Sequence, residues 1–116
     1  MKNYLKKKCD NVSYSTALKD GFLKFQESSP DLLILDHNLP DGFGIDNIQK
    51  FKKENSSLFI IVISAMSNLK TKALENGADV FMEKPISFNK LNDLLAQLGS
   101  NFKHLAFIVF LLSHTI

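Results

Sequence analysis

Two stretches of the chain are apolar at every position, Leu32 to Leu35 and Leu58 to Ile63. Apolar runs this short, bounded by turn residues, read as strands buried on both faces. The first follows Ser28-Ser29-Pro30, ends in Asp36 and passes at once into His37-Asn38-Leu39-Pro40; the second ends at Ser64-Ala65. Two weaker strand patterns accompany them: the alternating, β-rich Val12 to Thr16, and Asp79 to Met82 just before Glu83-Lys84-Pro85. Elsewhere the period lengthens to that of a helix. Leu18, Phe22, Leu23 and Phe25 predict an inward stripe on a helix over 18–27, and Ile45, Ile48 and Phe51 another that runs to about Glu54. Leu69, Ala73 and Leu74 predict the inward side of a helix over 68–75, closed by Asn76-Gly77. Ser87 is placed to cap a last helix from Phe88 to about Leu98, with Leu91, Leu94, Leu95 and Leu98 inward. Met1 to Cys9 reads as the final turns of a helix met in mid-course, and Leu39 to Gly44 as a loop. Leu105 to Leu112 is a further wholly apolar run.

Strands and helices therefore alternate, and two of the strands have no polar face. That pattern predicts an α/β fold with a parallel sheet covered by helices on both sides. In such a sheet the carboxyl ends of the strands share one edge, where ligands bind. Asp36, Ser64 and Lys84 stand at the ends of successive strands, so the topology brings a carboxylate, a hydroxyl and an ammonium to one place. The set suits phosphoryl chemistry: the carboxylate is a nucleophile, and the other two bond the oxygens of a phosphoryl group.

Composition narrows the picture without changing it. A chain of 116 residues with 45% apolar content suggests one domain with a real core. The net charge is +2, and every basic residue other than histidine is lysine, which argues against a nucleic-acid surface read by arginine. The lysines of Met1 to Lys8 read as a solvated helix face. Cys9 is the single cysteine, so a disulfide within the chain is impossible, which fits a reducing, cytoplasmic setting. No apolar core follows the first lysines, so the start does not read as a secretory leader. The run Leu105 to Leu112 is far short of the ~20 residues a membrane span needs.

In order and spacing, the residues around this edge resemble the receiver domain of two-component response regulators, over roughly residues 1–100. The elements are Asp36 with Pro40 and Gly44 after it, the pair Ser64-Ala65, the pair Lys84-Pro85, and Phe81 three residues before the lysine. The resemblance implies a flavodoxin-like, doubly wound sheet of order 2-1-3-4-5. It implies a phosphoacceptor at Asp36, Mg²⁺ held by Asp36 and the main-chain carbonyl of Asn38, and Ser64 and Phe81 as the switch. The partners it implies are a histidine kinase or phosphotransfer protein and a downstream effector protein.

The chain also departs from that pattern. A receiver opens with an apolar strand that ends in a pair of acids, and those acids help hold the metal. Here the sequence begins inside what would be the first helix, as in an amino-terminally truncated receiver, and no acid pair is present. The sheet then lacks its central strand. Leu105 to Leu112, within a tail over 101–116, has the length and composition to fill that slot, ending in Ser113-His114 rather than two acids. Other readings of the tail are an extension of the last helix, a dimer-forming segment, or a stretch without an evolved role.

Two other classes of function compete: a phosphorylation-independent interaction or dimerisation module, and a phosphohydrolase with Asp36 as nucleophile. The hydrolase reading expects a second acid two residues after the nucleophile, where Asn38 stands. With no output domain after residue 100, DNA binding by this chain is not expected. His37 reads as a surface-loop histidine, His104 and His114 as incidental, and Asp41 and Asp46 as loop and helix-start acids.

Overall fold

The computed structural model of the chain describes residues 11–99 and 106–110. The expected helix over Met1 to Cys9, together with His104, Ser113 and His114, lies outside the described residues. The elements in order are β1 (Asn11–Ser15), α1 (Leu18–Ser28), β2 (Leu32–Asp36), β3 (Asn38–Leu39), β4 (Gly42–Phe43), α2 (Ile48–Glu54), β5 (Phe59–Ser64), α3 (Lys70–Glu75), β6 (Val80–Glu83), α4 (Phe88–Gly99) and β7 (Ala106–Phe110). Short 3-10 turns over 45–47 and 67–69 lead into α2 and α3, where single longer helices were expected. Where a loop was expected over 39–44, β3 and β4 pair as a tight antiparallel ribbon.

Five strands form one parallel sheet in the order β1-β7-β2-β5-β6. That is the flavodoxin-like order, with β7 in the position that the first strand takes in the 2-1-3-4-5 pattern. β7 is registered with β1 from Asn11↔Ala106 to Ser15↔Phe110, and with β2 from Leu32↔Phe107 to Leu35↔Phe110. The slot is thus filled by part of the apolar run near the carboxyl end, and the backbone groups of β1 and β2 that face it have a partner. Pairing matters here because an unpaired buried N–H or C=O costs about as much as a lost hydrogen bond.

Alternation along the central strands feeds two cores. Leu33, Leu35, Ile60 and Val62 face α1, α2 and α3, meeting Phe25, Ile48, Phe51 and Ala73. Leu32, Ile34, Ile61 and Ile63 face α4, meeting Leu91, Leu95 and Leu98. Each fully buried Leu or Ile is worth roughly 1.5–3 kcal/mol relative to exposure, so this doubly apolar centre dominates the fold. Phe25 and Phe51 meet edge to face at 5.1 Å and lock α1 onto α2. Ser87 caps α4 as expected, its hydroxyl accepting the Lys90 N–H at 3.3 Å.

Two inward assignments are corrected. Leu23 is 55% exposed and Leu74 is 42% exposed. Each directly follows a residue that already faces the core, Phe22 or Ala73, and a helix turns ~100° per residue, so its neighbour points away.

Candidate functional site

β2 runs into the sheet edge with Asp36 as its last residue, 1% exposed. β5 ends beside it at Ser64, also buried, and Ser64 is registered with Glu83 on β6. The Lys84 N–H donates to the Ser64 carbonyl at 2.9 Å, which carries the strand pairing one residue past β6 and fixes where the lysine side chain starts. Lys84 Nζ then lies 2.7 Å from Asp36 Oδ2, with the two side chains 15% and 1% exposed. The other carboxylate oxygen, Oδ1, accepts the Asn38 N–H at 3.2 Å. This charge-assisted pair is the structural centre of the site.

Ser64 shares the edge but not the ion pair. Its Oγ accepts the Met66 N–H at 3.0 Å and shapes the turn that leaves β5. Phe81 is partly buried and packs against the core on the α1–α3 side of the sheet. Asn38 is exposed and its main chain pairs with Phe43 across the ribbon.

The loop that follows Asp36 is held from several directions. The His37 N–H donates to the Ile63 carbonyl at 3.1 Å, and the Gly44 N–H to the His37 carbonyl at 2.7 Å. A Cβ on Gly44 would stand 2.3 Å from the Asp36 carbonyl oxygen, so glycine is required there by space. His37, expected at the surface, is buried instead: its ring stacks on Phe43 at 5.0 Å, and Nδ1 accepts the Ile45 N–H at 3.4 Å. Burial lowers its pKa and favours the neutral ring. Asp41 also has a role the sequence did not disclose: its two oxygens accept the N–H groups of Leu18 and Lys19 at the start of α1. Only an indirect signal was available, namely that Ala17, just before that helix, has no side chain able to cap it. Asp46 sits in the first 3-10 turn as expected, 3.7 Å from Lys72 on an exposed surface.

A divalent magnesium ion wants octahedral oxygen ligands, commonly one or two carboxylates together with phosphate and water. The described residues offer Asp36 and the nearby main chain, and one Asp36 oxygen already holds the Lys84 ammonium. No group of three or more His, Cys, Asp and Glu side chains is placed to hold a metal among the described residues. Asp36 and nearby main-chain oxygens are thus the donors the described residues would bring to such an ion, with phosphate and water completing the shell.

A parallel sheet of this order, with a buried acid at the end of its third position and a lysine from the fifth reaching it, defines the class of receiver-like signalling domains. The family model of the response regulator receiver domain matches residues 1–96, and the chain belongs to that family. Receiver domains generally bind Mg²⁺ at the site of phosphorylation. Among curated proteins, the chain is 41% identical over 82 residues to the KDP operon transcriptional regulatory protein KdpE of Escherichia coli, covering 69% of this chain and 36% of that protein. It is 35% identical over 83 residues to the transcriptional regulatory protein KdpE of Staphylococcus aureus, covering 70% of this chain and 36% of the relative. The chain thus spans little more than a third of the length of these relatives. Among solved structures, the beryllofluoride-activated NtrC4 receiver domain dimer is similar with a TM-score of 0.68 at 26% identity, over 75% of this chain and 74% of that one. The receiver domain of NtrX from Brucella abortus shares the fold with a TM-score of 0.67 at 22% identity, over 76% and 77% of the two chains.

Proposed function

We propose that Asp36 is the phosphoryl acceptor of a phosphorelay, served by a histidine kinase or phosphotransfer protein and read by a downstream effector protein. The observation that carries this reading is the buried Asp36–Lys84 pair, 2.7 Å between charged atoms at the carboxyl edge of the sheet. An Asp36 oxygen attacks the phosphorus of a phosphohistidine. An O–P bond forms, the N–P bond breaks, and the imidazole nitrogen leaves with its electron pair. The Lys84 ammonium offsets charge on the transferred oxygens. Ser64 and Phe81 are the residues we assign to the switch, with the Ser64 hydroxyl leaving Met66 to meet the phosphoryl group. The product is a signalling state, so the protein is not a turnover enzyme, and its setting is the cytoplasm. We read the receiver domain as residues 1–100 with its sheet completed from the 101–116 tail.

The donor count favours a second reading, in which the domain engages its partners without phosphorylation, because one carboxylate already tied to a lysine is a poor metal site. Incubation with Mg²⁺ and acetyl phosphate, followed by intact-mass measurement, separates the two. A one-phosphoryl adduct that Asp36→Asn abolishes is the expected result. Absence of the adduct, together with no beryllofluoride binding, selects the phosphorylation-independent module.

A further inference from the structure

The strand at the centre of the sheet pairs with two strands that lie far back in the sequence. β2, β5 and β6 are each joined to described helices or turns at both ends. β7 is joined to the preceding elements only through residues 100–105, and no described element follows it. Its place depends on hydrogen bonding to β1 and β2, and on the cover of α1, which lies against both β1 and β7.

We propose that the slot between β1 and β2 is a strand-acceptor site open to a second copy of this chain, giving a strand-exchanged dimer. A chain whose 106–110 segment has left the slot has two facing rows of backbone groups without partners in the middle of its sheet, and it cannot persist in that state. It must take a strand back, and the segment of another copy fits by construction, since the register and sequence it offers are the same. The strand contacts are identical in the two arrangements. The balance therefore rests on the link 100–105 against the entropy of association. A link of this length sets an effective concentration on the order of millimolar, so dimer should accumulate as protein concentration climbs toward that range. Once formed it should persist on dilution, because return requires the central strand to be pulled out again. In the exchanged dimer the strand beside β2, and so beside the strand that carries Asp36, comes from the other copy.

Register supplies the test. Ser13 is the partner of Ile108 across β1 and β7. In a Cys9→Ser background, one chain carries Ser13→Cys and a second carries Ile108→Cys. The two are mixed at high concentration, warmed briefly below the unfolding midpoint, cooled and oxidised. The expected result is a disulfide-linked heterodimer in clear excess over the two homodimers, with size-exclusion light scattering showing dimer that grows with concentration. Removing two residues from 100–105 should raise the dimer share several-fold, because a shorter link strains closure within one chain. A single chain carrying both cysteines gives the reference. If it forms only its internal disulfide, and the mixture gives no heterodimer in excess at any concentration, exchange is overturned. If the doubly substituted chain forms no disulfide at all, β7 does not occupy the slot and the proposal falls with it. None of these substitutions touches Asp36, Ser64 or Lys84, so the outcome is independent of whether Asp36 accepts a phosphoryl group.

Discussion

The backbone N–H of Leu18 donates to Oδ1 of Asp41, 2.7 Å away and 23 residues further along the chain. The second carboxylate oxygen takes the Lys19 N–H at 3.0 Å, so one side chain of the loop after Asp36 satisfies two of the orphan donors at the start of α1. Asp41→Ala should lower the thermal midpoint, and Asp41→Asn should lower it less, because the amide keeps one acceptor. The two hydrogen bonds hold the Asp41 carboxyl below its ordinary value of 3.8. A depressed folded value means the contribution is fully present above the ordinary value and is lost as pH falls through the folded one. Midpoints recorded from neutral pH down to about pH 2.5 should therefore show a steeper acid limb for the native chain than for Asp41→Ala.

Lys84→Met should leave the Asp36 carboxylate buried and unpaired. Removing one partner of a buried pair costs about 3–5 kcal/mol. Adding Asp36→Asn to Lys84→Met should recover a large part of that loss, since the remaining polar group is neutral. Chemical denaturation of the four chains in a double-mutant cycle measures this coupling. Additive losses would show that the 2.7 Å contact contributes nothing to stability.

Gly44 makes a different kind of prediction. Its φ of −55° is ordinary, so glycine is not there for backbone freedom. The missing Cβ leaves room for the Asp36 carbonyl and for the Leu35 side chain. Gly44→Ala should cost roughly 1–3 kcal/mol, as overpacking does. It should also cut the yield of phosphoryl adduct, because the loop that must give way is the one holding Asp36.

Ending the chain after residue 102 should lower the unfolding midpoint sharply. Ile108→Pro should act in the same direction, because proline cannot donate to a central ladder. An unchanged midpoint in the shortened chain would mean that 106–110 does not hold the slot. By contrast, Leu23→Lys and Leu74→Lys should stay within about ±0.5 kcal/mol of the parent, as exposed positions do.

Much of this architecture was legible because its signals are local. Four consecutive apolar residues before Asp36, and six before Ser64, short and bounded by turn residues, read as strands buried twice, and the order of elements then puts Asp36, Ser64 and Lys84 on one edge. The Leu23 and Leu74 assignments failed because apolar character outweighed helical phase. The spacing of Leu18, Phe22 and Phe25 already fills the inward stripe, and Leu23 falls outside it. The Asp41 cap was not legible because its partner Leu18 is distant in sequence, and the buried His37 was not legible because the ribbon that brings Phe43 onto its ring leaves no periodic signal. The filling of the slot was readable only through topology: nothing local in Leu105 to Leu112 says where it goes, but the fold predicted from the rest of the chain left one vacancy of the right length.

The position of β7 also sets an order of events on the ribosome. Asn11 pairs with Ala106, and Leu32 with Phe107, so the strand at the middle of the sheet is made after all the strands it joins. β2, β5 and β6 can assemble as they emerge, while β1, whose one described partner is β7, must wait until residues 106–110 have been made. Contacts so distant in sequence slow folding. During that wait the edge of β2 that β7 will cover stays open, in the strand that carries Asp36.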